Sequence, residues 1–179
     1  MGIEQTLERT YLVRYIPAQI EGAQSEVIED TYIPANAREA GLRLRERNGV
    51  YELTKKFVRK QGDRSILNEF VLDLSQEEYE AFKTLGTRVT RKRRFYCTIY
   101  GHKTEVDIFL GELDGLALVA FPFTTEAEMA AFQPPELCLA EVTGQRVSSG
   151  GYLAGKIYAE VQPELEQYQY VPQFLEKEY

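Results

Sequence analysis

Alternation limits the fold of this chain more than any other feature of its sequence. Residues 6–15, 27–33, 41–47, 50–58, 66–74, 93–100, 104–110 and 117–123 either alternate apolar with polar side chains or run as β-branched and aromatic stretches. Side chains two apart in a strand share a face, so these eight runs predict eight strands. Asn48-Gly49 sits between two of them and predicts a tight hairpin, because both central turn positions take positive φ. Gly101-His102 predicts a second hairpin, and neighbouring strands are therefore expected to be antiparallel.

Helices are expected only in the gaps. Ser75 with Glu78 and Thr125 with Glu128 have capping-box spacing, and each opens a short amphipathic helix carrying Tyr79 and Phe82 or Met129 and Phe132. Gln133-Pro134-Pro135 ends the second helix. Gly144 and Ser148-Ser149-Gly150-Gly151 predict a flexible loop. Residues 161–179, acidic and tyrosine-bearing, read as a weak helix or a draped tail. With no repeat and no linker, the chain reads as one α+β domain over residues 1–179 on a largely antiparallel sheet, its core about 6–155 and 156–179 a C-terminal helix or tail.

A chain of 179 residues can bury about 70% of its unfolded surface and needs no staples. The longest apolar run, 116–121, falls far short of the ~20 residues of a membrane helix, and Met1-Gly2-Ile3-Glu4-Gln5 shows no signal pattern, so a cytoplasmic protein without a membrane partner is expected. Cys97 and Cys138 make neither a disulfide framework nor a zinc spacing, and His102, the only histidine, would have to carry any His-based triad alone. The net charge of −7 hides an asymmetry: residues 38–103 hold 16 of the 21 Lys and Arg against 9 acids, a local +7, leaving −14 elsewhere. A basic middle in an acidic chain argues for a local anion site rather than adhesion to duplex nucleic acid or a membrane surface.

Parity places those charges. Arg43 and Arg45 share a face opposite Leu42 and Leu44; Thr54 shares one with Lys56, Lys92 with Arg94, and Glu105 with Asp107. Glu4, Thr6, Glu8 and Thr10 line one face of the first run while Leu7, Tyr11 and Val13 line the other. Two arrangements produce this. The ionic face is the solvent face of a half-buried sheet, or it is the polar interior of a closed eight-strand barrel with its apolar faces turned outward under helices. Clustered Arg and Lys inside such an interior would repel one another unless a polyanion neutralised them, and carboxylates two apart suit a hard divalent cation.

Read in order, these residues resemble the CYTH domain, or triphosphate tunnel metalloenzyme, family. Thr6-Leu7-Glu8-Arg9-Thr10-Tyr11-Leu12-Val13 is similar to its E-x-E-x-K strand with only the central Glu8 kept. Leu42-Arg43-Leu44-Arg45 resembles its R-x-R strand, Leu53-Thr54-Lys55-Lys56 its L-T-x-K strand, and Asn68-Glu69-Phe70-Val71 its E-x-E strand with the second Glu lost. Lys92-Arg93-Arg94-Phe95, Glu105-Val106-Asp107 and Glu141-Val142-Thr143-Gly144 complete the series over most of 6–155. The family's A-E-x-E strand is matched by Val119-Ala120-Phe121-Pro122-Phe123, where Ala120 and Pro122 replace both carboxylates.

The resemblance implies an eight-stranded antiparallel tunnel that binds, and possibly hydrolyses, a small-molecule inorganic or organic triphosphate or polyphosphate with Mg²⁺ or Mn²⁺. Arg43, Arg45, Lys56, Lys92, Arg94 and Arg146 are then the phosphate-binding set, and Glu8, Glu69, Glu105 and Asp107 the metal ligands. The thinned acidic set leaves two alternatives open: a non-catalytic module for phosphorylated ligands or polyphosphate, and an interaction protein whose ionic face is ordinary surface. Pro122 lacks a ladder N–H, so its strand end is expected at an edge or bulge.

Overall fold

The computed structural model describes residues 3–35, 42–60 and 63–175, with side chains described for 7–35, 42–55 and 69–175. The eight alternating runs all form strands: β1 Ile3–Val13, β2 Gln24–Ile33, β3 Leu42–Arg47, β4 Val50–Lys60, β5 Asp63–Leu74, β6 Arg88–Ile99, β7 His102–Phe109 and β8 Ala117–Phe123. A ninth, β9 (Cys138–Glu141), has too short a run to betray itself by alternation. Every pairing is antiparallel, in the order β5-β4-β3-β2-β6-β7-β8-β1-β9. The largely antiparallel sheet expected from the sequence is present, and the expected count of eight strands is corrected to nine. β1 is long enough to serve three partners. Residues 3–7 pair with β5 and 11–13 with β9, while 7–12 pair with β8.

Local chemistry sets the connections. Asn48 and Gly49 take φ of 49° and 78°, the left-handed pair that a two-residue hairpin needs. The second hairpin turns one residue earlier than expected: Tyr100 and Gly101 take φ of 49° and 82°, and His102 already pairs with Ile99. Ser75 caps α1 (Gln76–Lys83) and Thr125 caps α2 (Glu126–Ala131), each with both halves of the capping box formed. The segment expected to be a flexible loop instead holds a 3₁₀ turn, Arg146–Ser148, and α3 (Gly150–Leu153), because Val147 and Leu153 have apolar surface to bury.

The sheet buries apolar side chains on its outer face. Tyr79 of α1 packs with Ile33 and Leu44, while Phe132 and Leu137, which follow α2, pack with Tyr11, Val119 and Phe121. One end of the opposite face is also apolar. Leu12, Phe109 and Leu118 meet Val147, Leu153, Val161 and Leu165 there, so α4 (Tyr158–Glu166) and Tyr170 belong to the core rather than to a tail. Gly86 fits a tight spot, since a Cβ there would stand 2.7 Å from the Tyr32 carbonyl oxygen and 2.8 Å from Thr31 Cγ2. Gly86→Ala is expected to destabilise the fold by about 1–3 kcal/mol, read as a lowered midpoint in thermal or urea unfolding.

Candidate functional site

Register shows which charged side chains meet. Residues directly opposite in neighbouring strands share a face. Asp30 lies opposite Arg45 and Thr90, Arg94 opposite Glu26 and Asp107, Lys92 opposite Ile28 and Phe109, and Glu105 opposite Tyr96 and Ala120. Arg43 lies opposite Tyr32 and Thr54, and Glu8 opposite Pro122. One continuous inner face therefore carries Glu8, Asp30, Arg43, Arg45, Lys92, Arg94, Glu105 and Asp107. It is not a solvent face: Asp30 is 3% exposed, Asp107 6% and Thr54 1%.

Clustered cations there are neutralised by the protein itself, which corrects the expectation that only a bound polyanion could do so. Arg45 donates from Nε and Nη2 to the two carboxylate oxygens of Asp30 at 2.8 and 2.9 Å. Arg43 donates to Thr54 Oγ1 at 2.7 Å and to Glu69 Oε1 at 2.8 Å. Arg94 grips Asp107 through Nε and Nη2 at 2.7 and 2.8 Å and places Nη1 2.5 Å from Glu105 Oε2. Lys92 Nζ stands 2.5 Å from Asp107 Oδ2.

The protonation states follow from this arrangement. Burial alone would raise the Asp30 and Asp107 carboxyls, but Arg43 with Arg45 and Arg94 with Lys92 hold them well below the usual carboxylate range. Burial raises Glu105; Arg94 works against it, and Asp107 and Glu8 add to it, so it shifts in the direction opposite to Asp30 and Asp107. Burial, reinforced by Arg94, brings the Lys92 ammonium down to about 8 despite its contact with Asp107.

Of the residues singled out in the sequence, Arg43, Arg45, Lys92, Arg94, Glu105 and Asp107 are held in these buried ion pairs, with Glu8 on the same face. Lys56 lies opposite Glu69 in register, and its side chain lies outside the described residues. Arg146 is exposed, with its guanidinium 5.1 Å from the Tyr152 ring centroid at the helical end. The four expected metal ligands are not gathered around one point. Asp107 is engaged by two cations and Glu69 by Arg43, and among the described residues no three His, Cys, Asp or Glu side chains lie close enough to hold one ion. Glu8, Glu69, Glu105 and Asp107 therefore do not form an all-protein cage for Mg²⁺ or Mn²⁺, ions that commonly take one or two carboxylates together with substrate phosphates. Pro122 stays opposite Glu8 but lies beyond the last β7–β8 pair, at Ala120, so its missing N–H falls outside that ladder.

Asp30, Glu26, Glu52 and Tyr96 also lie on this inner face and were missed by motif reading. Glu52 receives Arg47 Nη2 at 2.7 Å, and Glu26 accepts a short hydrogen bond from the Tyr96 hydroxyl. The signal was the parity of Glu26, Ile28, Asp30 and Tyr32 within β2, which sets acids directly across from the basic strands.

No family model matches the chain. The inorganic triphosphatase of Nitrosomonas europaea is 32% identical to it over 139 residues, 76% of this chain and 88% of that protein. Its fold is shared by a solved inorganic triphosphatase, with TM-score 0.62, 24% identity, and 85% of this chain and 95% of that one covered. A Bacillus halodurans protein proposed to be an adenylate cyclase has TM-score 0.54 and 16% identity, covering 99% and 97% of the two chains. Sequence identity over that length and a shared fold lead to one conclusion: the chain belongs to the same CYTH-like family as the Nitrosomonas inorganic triphosphatase.

Proposed function

We propose that this protein binds a triphosphate-containing compound, inorganic or organic, against its inner face and hydrolyses it slowly. We propose further that the β1–β5 pairing carries the sheet around into a tunnel wall. The observation behind this reading is the convergence of Arg43, Arg45, Lys92 and Arg94 on one buried face, four cations that can be handed from protein carboxylates to phosphoryl oxygens. The relative's activity, inorganic triphosphatase, supports the same substrate class. Arg43, Arg45 and Arg94 would orient the phosphate chain and stabilise charge that develops on the transferred group, and Lys56 would join them from its register position. Glu105, whose carboxyl burial shifts upward, would receive a proton from an attacking water.

Ala120 and Pro122 support a second reading, a binding module that does not turn its ligand over, because two carboxylates expected beside Glu8 and Glu105 are missing. Phosphate release and calorimetry with tripolyphosphate, ATP and thiamine triphosphate, with and without manganese, separate the two. Release above the uncatalysed rate supports the first. Tight binding without release supports the second, and absence of binding removes both.

Lys92 makes the affinity pH-dependent. Its ammonium, brought down to about 8 from 10.5, destabilises the folded state while protonated, and the penalty fades as pH rises from 8 toward 10.5. Binding has the opposite sign, because a phosphate chain favours the charged form. Tripolyphosphate affinity is expected to fall by up to about tenfold per pH unit above 8, with proton uptake on binding. Calorimetry at pH 8.5 in two buffers of different ionisation enthalpy checks the uptake. Lys92→Arg, permanently charged, should flatten the profile.

A further inference from the structure

Asp30 belongs to no motif of the sequence, yet three of the four cations that converge on the buried face, Arg43, Arg45 and Lys92, act on it. Arg45 grips it at two points, Arg43 Nη1 stands 3.8 Å from Oδ2, and Lys92 is near enough for its charge to lower the carboxyl. A planar two-point grip on a buried oxyanion is also the way arginine holds a phosphoryl group. Resting on the triphosphate reading, we infer that Asp30 is a built-in anion occupying the place of one phosphoryl group, and that it sets the selectivity of the site for long phosphate chains.

The argument is one of competition. A ligand must draw Arg45 and Arg43 away from a carboxylate that is already well seated and 3% exposed. Orthophosphate offers one phosphoryl group in exchange and gains little. Tripolyphosphate reaches Lys92 and Arg94 with its remaining phosphates, and those added contacts offset the displaced pair. Asp30 acts through its two arginines and is thus a positioning residue, one that excludes the cleavage product orthophosphate while admitting the chain.

Asp30→Asn keeps the shape and one acceptor oxygen but removes the charge. It leaves two buried guanidinium groups short of an anion, so the empty protein is destabilised and its demand for an external anion grows. The expected result is a lowered thermal midpoint together with at least tenfold tighter binding of tripolyphosphate and a larger proportional gain for orthophosphate, both by calorimetry. A residue that only braced the fold would lose stability and affinity together, and affinity that falls or stays unchanged in Asp30→Asn overturns the inference. Should the variant be unfolded alone, tripolyphosphate is expected to restore its folded circular dichroism, and failure to do so overturns the inference equally. A parent that binds no tripolyphosphate removes the triphosphate reading itself, whereas a binding parent with a variant no tighter removes only the role of Asp30.

Discussion

Arg94→Ala is expected to weaken tripolyphosphate binding by about 30- to 5,000-fold and also to destabilise the empty protein, two effects with one origin. Arg94 donates to Asp107 at 2.7 and 2.8 Å and sits 2.5 Å from Glu105, so truncation strands two carboxylates on a buried face with only Lys92 beside Asp107. Losing one member of a desolvated charge contact typically weakens binding by ~2–5 kcal/mol. Breaking a buried pair from one side destabilises a fold by about 3–5 kcal/mol. A cluster of unneutralised cations would behave oppositely, gaining stability when one is removed. The Asp107 carboxyl, held low by Arg94, contributes stability above its unfolded value that is lost as pH falls through its folded one. The stability gap between parent and Arg94→Ala should therefore be widest near neutral pH and narrow in acid. Urea unfolding at pH 7 and pH 2, with binding measured at pH 7 well below the variant's midpoint, checks both halves.

Which parts of this were legible in the sequence follows from what period two can carry. Alternation located all eight longer strands, and Asn48-Gly49 fixed a hairpin, because both are short-range steric facts. β9 escaped because Cys138–Glu141 has no alternation of its own and exists only to pair with the free stretch of β1. The parity of Arg43 with Arg45 and of Lys92 with Arg94 foretold which charges share a face. Parity alone puts Asp30 on a face of its own strand but does not say that it would neutralise Arg45. Partnering of that kind depends on the β2–β3 register, a long-range property. Arg146 was singled out by its place after Glu141-Val142-Thr143-Gly144, whereas its described contact is with Tyr152, set by α3 folding back.

Restoring two carboxylates should turn this face into a metal-dependent one. The register sets Pro122 opposite Glu8, and Ala120 opposite both Thr10 and Glu105, so Ala120→Glu with Pro122→Glu brings new acids beside two existing ones. Directly opposed side chains have Cβ atoms about 4.5–5.5 Å apart, within reach of a shared divalent cation. Ala120 is 8% exposed, so without metal the double variant gathers like charges in a buried place and its thermal midpoint is expected to fall. Manganese should reverse that fall and give a saturable calorimetric signal stronger than the parent's. Triphosphate turnover with manganese should rise by about 100-fold, the order of magnitude that correct placement of a nucleophile commands. Affinity for the phosphate chain should change far less, since Arg43, Arg45, Lys92 and Arg94 are untouched. Pro122→Glu also supplies a backbone N–H beyond the β7–β8 ladder, where no partner is lost by its presence. A parent already as fast as the double variant would mean that acids elsewhere on the face, Glu8 and Glu105 first, carry the chemistry unaided. A double variant that binds manganese yet releases no phosphate would establish the protein as a triphosphate-binding module, with its catalytic loss deeper than two missing side chains.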